Sequence, residues 1–136
     1  MAGLLVVDTN LLVRLFTTDS AKQTASAVRL IEQSGKDGIS LVVSDLVFAE
    51  TLWVLTKAYT HPKVQVVQAA RALLGDVRFT FERYERLTEA VGLFAEHTVD
   101  FTEAYAAAMG NELGARGVVS FDRDLRHLPV AWIEPK

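Results

Sequence analysis

Leu4 to Val7 form an apolar, β-branched run that stops at Asp8-Thr9-Asn10. That pattern predicts a buried central strand giving way to a helix cap. Leu11, Leu12, Leu15 and Phe16 then recur at helical spacing. Asp19-Ser20 opens a second helix, with Ala25, Val28, Leu30 and Ile31 as candidate buried positions and Gly35 and Gly38 punctuating its end. Ile39 to Val43 read as a short strand, and Ser44 or Asp45 caps an apolar helix reaching about Thr60. Pro62 suits the first turn of another helix, which ends near Gly75. A strand is predicted over Val77 to Phe81 and a helix over Tyr84 to Glu96. Asp100-Phe101-Thr102-Glu103 is a capping-box pattern that opens an Ala-rich helix through about Leu113. Gly114 and Gly117 bracket a turn into Val118, Val119 and Ser120, read as a short buried strand ending at Phe121-Asp122. A last strand is expected near Ala131 to Ile133.

Strands alternating with helices predict an α/β fold, a three-layer sandwich whose central, mainly parallel sheet is covered by helices on both faces. No repeat, low-complexity tract or linker interrupts the pattern, so residues 1–136 read as a single domain. In such folds, functional groups collect where strands end and helices begin. Several acidic residues fall there.

Half of the residues are apolar, including two Trp and seven Phe, which is enough to build a core. No stretch approaches the roughly 20 apolar residues of a membrane span. The opening MAGLLVVDTN lacks a basic n-region and reaches an Asp after a few apolar residues, so no signal peptide is expected. With no cysteine there is no disulfide, thiolate nucleophile or Cys-type zinc site. A cytoplasmic protein without membrane attachment is the simplest expectation. The formal net charge of −3 argues against a passive DNA-binding module, which is usually basic. It leaves room for an enzyme whose acidic site is offset by cations.

Each acidic candidate has an ordinary structural reading beside the functional one. Asp8 follows a strand and can serve as an N-cap, a role that Asn10 could fill equally well. Glu50 sits in LVFAETLWVL with apolar residues on nearly every side. It is either a shielded carboxylate, costly unless paired, or a Glu on the wet stripe paired with Lys57 or Arg14. Asp100 and Glu103 are accounted for by the capping box. Asp122 and Asp124 are accounted for as turn residues or as partners of Arg123 and Arg126.

The combination says more than the parts. Asp8 and Asp122 each end a predicted core strand, and Glu50 and Glu103 each lie in a helix that follows a strand or loop. If the strands are parallel neighbours, these groups share one edge of the sheet. Crowded carboxylates repel one another and raise one another's pKa values unless cations intervene. An all-oxygen site favours Mg²⁺ or Mn²⁺ over zinc. His61, His97 and His127 are scattered, without zinc-site spacing. Neither a nucleophile elbow, a phosphate-binding P-loop nor a dinucleotide fingerprint occurs.

VVDTNLLVRLF, VSDLVFAETLWVL, VDFTEAYAAAMG and VVSFDRDLRHL occur in that order. Together they resemble the PIN-domain family, in particular the VapC-like toxin ribonucleases of toxin–antitoxin pairs, over Leu5 to about Leu128. The resemblance implies Asp8, Glu50, Glu103 and Asp122 as the catalytic acidic set, with Asp8, Glu103 and Asp122 as ligands of Mg²⁺ or Mn²⁺. The third position is usually Asp in an Asp-Ala pair; here it is Glu103-Ala104, and Asp100 could assist or take over its role. Thr9, Asn10 and Ser120 would orient the carboxylates or serve as caps and turns. Arg14, Arg123 and Arg126 would contact RNA or pair with acids. The implied activity is metal-dependent hydrolysis of RNA phosphodiesters, the implied partners are an RNA substrate and a cognate antitoxin, and a homodimer is expected. A PIN-like module that binds RNA or protein without efficient cleavage is the alternative, because of the Glu at position 103.

Overall fold

The structure, a computed structural model, describes residues 3–136; Met1 and Ala2, the start of the opening expected to lack a leader, lie outside them. The chain forms two compact units, the first ending at Tyr84 and the second spanning Glu85–Lys136.

The first unit runs β1 (Leu4–Val6), α1 (Thr9–Arg14), α2 (Ala21–Lys36), β2 (Ser40–Val43), α3 (Asp45–Lys57), α4 (Lys63–Leu74) and β3 (Phe79–Phe81). Its strands are parallel, in the order β1-β2-β3. Parallel neighbours need long crossovers, and a pair of helices supplies each one. The α/β class and parallel pairing are as expected. Leu5, Leu41 and Phe79 are laterally aligned, and Leu41, Val43 and Phe79 are buried with Leu12, Ile31, Phe48, Leu52, Leu55 and Leu73.

The position of β1 corrects the sequence reading. Within the first unit's sheet it lies at the edge, and β2 is the central strand. Leu4 and Val6 are 72% and 78% exposed, because alternate residues of a strand face opposite ways and only the face of Leu41 and Val43 is packed. An unbroken apolar run conceals that alternation. A second correction concerns α2. Its buried residues are Ala27, Ile31 and Ser34, one stripe at helical spacing. Of the four expected positions only Ile31 is buried, and Ala25, Val28 and Leu30 are exposed. The third helix stops at Lys57 rather than near Thr60.

The second unit contains α5 (Tyr84–Glu96, starting at the boundary), α6 (Phe101–Leu113), β4 (Val118–Val119), a 3-10 turn (Arg123–His127) and β5 (Trp132–Ile133). Helices α5 and α6 are joined by an edge-to-face pair, Phe94–Phe101, with centroids 5.9 Å apart. Arg86 ties their far ends together, donating to Glu112 at 2.8 Å and lying over the Tyr105 ring. Gly114 ends α6 at φ 63°, a left-handed C-terminal position that glycine adopts without strain. Strand β4 pairs in parallel with β5. Gly117 allows that approach, since a Cβ there would lie 2.9 Å from the Ala131 carbonyl oxygen. The expectation of a buried strand fails here too. Val119 and Phe121 are 64% and 75% exposed, since a strand of this length with one neighbour covers little of either residue. Among the described residues, no helix is long and apolar enough to cross a membrane.

Candidate functional site

The second unit gathers three carboxylates. Oxygens of Glu103, Asp122 and Asp124 lie within 4.8 Å of one another. Local structure explains the convergence. Asp100 accepts the Glu103 backbone N–H at 2.8 Å and so starts α6, which leaves Glu103 in the first helical turn. Asp122 caps the 3-10 turn, its Oδ1 accepting the Asp124 N–H at 2.9 Å. Ser120 Oγ accepts the Asp122 N–H at 2.9 Å, and the Ser120 carbonyl accepts the Trp132 indole N–H at 2.9 Å. Thus Ser120 positions the backbone that carries Asp122. Asp124, two residues later in the tight turn, folds back beside it.

Like charges at this spacing repel. Burial pushes the Glu103 carboxyl up to about 7, helped by a proton held against Asp122 and by the charges of Asp100, Asp122 and Asp124. Asp122 is lowered, first by the Asp124 backbone N–H and then by Glu103. Two ionised carboxylates only accept hydrogen bonds, and Glu103 Oε2 is buried with no hydrogen-bond partner. Neither Arg123 nor Arg126 forms an ion pair with these acids among the described residues. Arg126 instead donates to the Arg123 carbonyl at 3.3 Å. The reading of Asp122 and Asp124 as partners of those arginines is therefore corrected.

Two expected residues belong to the first unit. Asp8 is the N-cap of α1, its Oδ1 accepting the Thr9 N–H at 2.8 Å, so the cap is Asp8 and not Asn10. Asp8 follows β1 on the sheet edge where β2 gives way to Ser44 and Asp45, and β3 to Glu82. Glu50 lies on α3, which packs against α1. It is exposed, sharing a helical stripe with exposed Leu46, Trp53 and Lys57. The shielded reading of Glu50 is corrected: the apolar neighbours that suggested shielding include Leu46 and Trp53, which are themselves open. Neither Lys57 nor Arg14 pairs with Glu50 among the described residues. Arg14 is committed to Asp19, at 2.8 Å, and to the Tyr59 hydroxyl, which removes it from the RNA-contact candidates.

The PIN domain family model matches residues 5–131. The chain belongs to the PIN domain family. Among curated relatives it is similar to a protein named VapC ribonuclease from Aquifex aeolicus (strain VF5), 22% identical over 130 residues, covering 96% of each chain. Among solved structures it is similar to Mycobacterium tuberculosis VapC20, described as a Sarcin-Ricin loop cleaving toxin. That match has 19% identity and a TM-score of 0.41, covering 96% of this chain and 97% of the other.

The donor set fits a divalent ion of the kind PIN nucleases use. Hard cations take carboxylate oxygens, the three grouped residues are all carboxylates, and an orphaned Glu103 oxygen lies among them. Asp100 is spent on the cap, so the assisting role considered for it has less support than a role for Asp124. The sequence accounts for Asp124 as a turn residue or as a partner of Arg123 or Arg126. Its Asp-Arg-Asp spacing was the available signal, because a 3-10 turn can return two such side chains to one place.

Proposed function

We propose that this PIN domain is a divalent-metal-dependent endoribonuclease that hydrolyses RNA phosphodiesters. One observation carries the reading. Glu103 and Asp122, assigned from separate motifs, meet with Asp124 as an anionic cluster that opposes its own ionisation. Asp8, Glu103 and Asp122 are proposed as ligands of Mg²⁺ or Mn²⁺, with Glu50 completing the acidic set. Ser120 is a positioning residue through its hydroxyl on the Asp122 N–H. Exposed Arg123 and Arg126 are available to the RNA phosphates. When bound, the ion lowers the pKa of water and offsets charge on the phosphate. A family match that spans both units supports treating residues 1–136 as one PIN-like domain. The VapC ribonuclease name of the relative supports ribonuclease activity, and a toxin role in the cytoplasm, a cognate antitoxin and a homodimer are proposed with it as what the resemblance to VapC-like toxins implies.

The test is cleavage of a mixed RNA pool by the parent chain and Asp8→Asn, with Mg²⁺, with Mn²⁺ and with excess chelator. Metal-dependent cleavage that the variant loses while remaining folded supports the proposal. Undiminished cleavage in chelator overturns the metal dependence. RNA binding without turnover in either metal would favour the alternative, a PIN-like binding module.

A further inference from the structure

We infer that Trp53 stacks on an unpaired base of the RNA substrate and that Lys57 takes a phosphate of the same strand, so that the open face of α3 positions single-stranded RNA beside Glu50. The inference rests on the ribonuclease reading above and adds a substrate contact to it. Helix α3 has two faces. Phe48, Thr51, Leu52 and Leu55 are buried. Leu46, Glu50, Trp53 and Lys57 recur at helical spacing on the other side, and all four are exposed. The two tryptophans of the chain are used differently. Trp132 is half-buried, and the Ser120 carbonyl accepts its indole N–H. Trp53 is 61% exposed, although tryptophan is highly buried on average in folded proteins. Its ring adds little to the core, which leaves a π face for a ligand. Because α3 packs against α1, that ring is carried on a rigid element.

The neighbours on the stripe indicate which ligand. Glu50, one turn before Trp53, belongs to the proposed acidic set. Lys57, one turn after it, is exposed and has no ion-pair partner among the described residues. Along the helix axis Trp53 lies about 4.5 Å and Lys57 about 10.5 Å from Glu50, so ring and cation follow in one line from the position assigned to the chemistry. Single-stranded RNA offers the matching series, since its splayed bases stack on aromatic rings and its phosphates meet cations. A protein partner fits this face less well. The core of a protein interface is depleted in Lys and Glu, and here both flank the Trp. Stacking tolerates any base, because every base has a π face. Trp53 therefore adds affinity and holds the strand in place, and leaves the choice of sequence to other contacts.

The experiment measures RNA affinity and cleavage with the full chain, using a short single-stranded RNA of mixed sequence and the same sequence as a duplex. Affinity is read in the Asp8→Asn background, which spares the RNA, from the anisotropy of labelled RNA and from quenching of tryptophan fluorescence. Trp53→Ala is expected to weaken single-strand binding about five- to a hundredfold, the scale of one stacked base. In the cleaving chain it should raise KM with little change in kcat. Trp53→Phe keeps a ring and should recover most of the affinity, while the quenching is lost with the indole. Lys57→Gln should reduce the slope of log affinity against log salt by about 0.7. Leu46→Ala removes apolar area from the same stripe without touching a ring, and should stay within about threefold of the parent. Duplex binding should not respond to Trp53→Ala. These side chains are exposed, so all variants should remain folded by circular dichroism. Unchanged single-strand affinity and KM in Trp53→Ala overturn this inference and leave the nuclease reading standing. A loss in Leu46→Ala as large as in Trp53→Ala, or a change in sedimenting mass of Trp53→Ala with RNA affinity intact, assigns the face to a protein partner and also overturns it. Binding that depends on Trp53 but is never followed by cleavage sustains the stacking contact and overturns the nuclease reading. A parent that binds no RNA overturns both.

Discussion

The two units use their charged residues in opposite ways. In the first, Arg14 meets Asp19 and Tyr59, whose hydroxyl also donates to Asp19 at 2.8 Å. Thr17, Thr51 and Thr56 return their hydroxyls to carbonyls one helical turn back. In the second unit the same economy holds at one end of α6, where Arg86 meets Glu112. About 13 Å away along that helix, Glu103 meets the carboxylates of Asp122 and Asp124. Opposite charges brought together are explained by the fold. Like charges brought together work against it, and they point to a ligand.

The largest expected effect tests the core of the first unit. Phe48 is fully buried and meets Phe81 edge to face at 6.0 Å. Phe48→Ala is expected to cost about 3–5 kcal/mol, read from urea unfolding monitored by circular dichroism. A loss under about 1 kcal/mol would mean that this core is looser than its burial indicates.

Next comes the second unit's cluster. Asp122→Asn is expected to lower RNA cleavage at least about a hundredfold while leaving the melting temperature equal or higher. The amide keeps an oxygen to cap the 3-10 turn and removes one repelling charge. A variant that unfolds would assign Asp122 to structure, and one that cleaves normally would remove it from the acidic set.

This asymmetry was partly legible in the sequence. The α5 limits and the N-terminal cap of α6 were read correctly because caps and apolar period are local signals. The position of β1 was not, because an unbroken apolar run such as Leu4 to Val7 does not say which strands will lie beside it. Glu103 and Asp122 were identified by resemblance. Their meeting needed the Ser120 and Asp122 turn, which depends on hydrogen bonds that spacing does not encode. Turn and ion-pair readings explain Asp124 in isolation, but among the described residues it has no arginine partner and lies beside Glu103 and Asp122. Arg14 shows the converse, a residue resembling a phosphate contact that the fold uses internally.

A smaller effect follows from Glu103. The unfolded chain loses this proton near the ordinary value of 4.5, and the folded protein holds it until about 7. Folding therefore takes up a proton between those values, and this group's contribution to stability falls as pH rises through that window. Glu103→Gln should remove the penalty. Without added metal, the variant's melting temperature is expected to gain on the parent between pH 4.5 and 7, then hold that gain at higher pH. Saturating Mn²⁺ at pH 8 should reverse the order by stabilising the parent more. A difference that does not change with pH would remove repulsion as the cause.

The smallest effect should come from Tyr59→Phe. The Tyr59 hydroxyl receives a hydrogen bond from Arg14 and gives one to Asp19, so phenylalanine leaves the Arg14–Asp19 pair to hold alone. Asp19 is exposed, and solvent screens such a pair. A fall of only a few degrees in melting temperature is expected. Asp19 is held below its ordinary pKa, first by Tyr59 and also by Arg14. The stability it contributes is present above the ordinary carboxylate range and is lost as pH falls through the lowered value. The difference between parent and variant should therefore close in acid, opposite to the trend expected at Glu103. RNA cleavage and Mn²⁺ affinity should remain unchanged, because the variant disturbs a pair of opposite charges and leaves the like-charged cluster intact. A change in either would mean that this clamp serves the catalytic site as well as the fold.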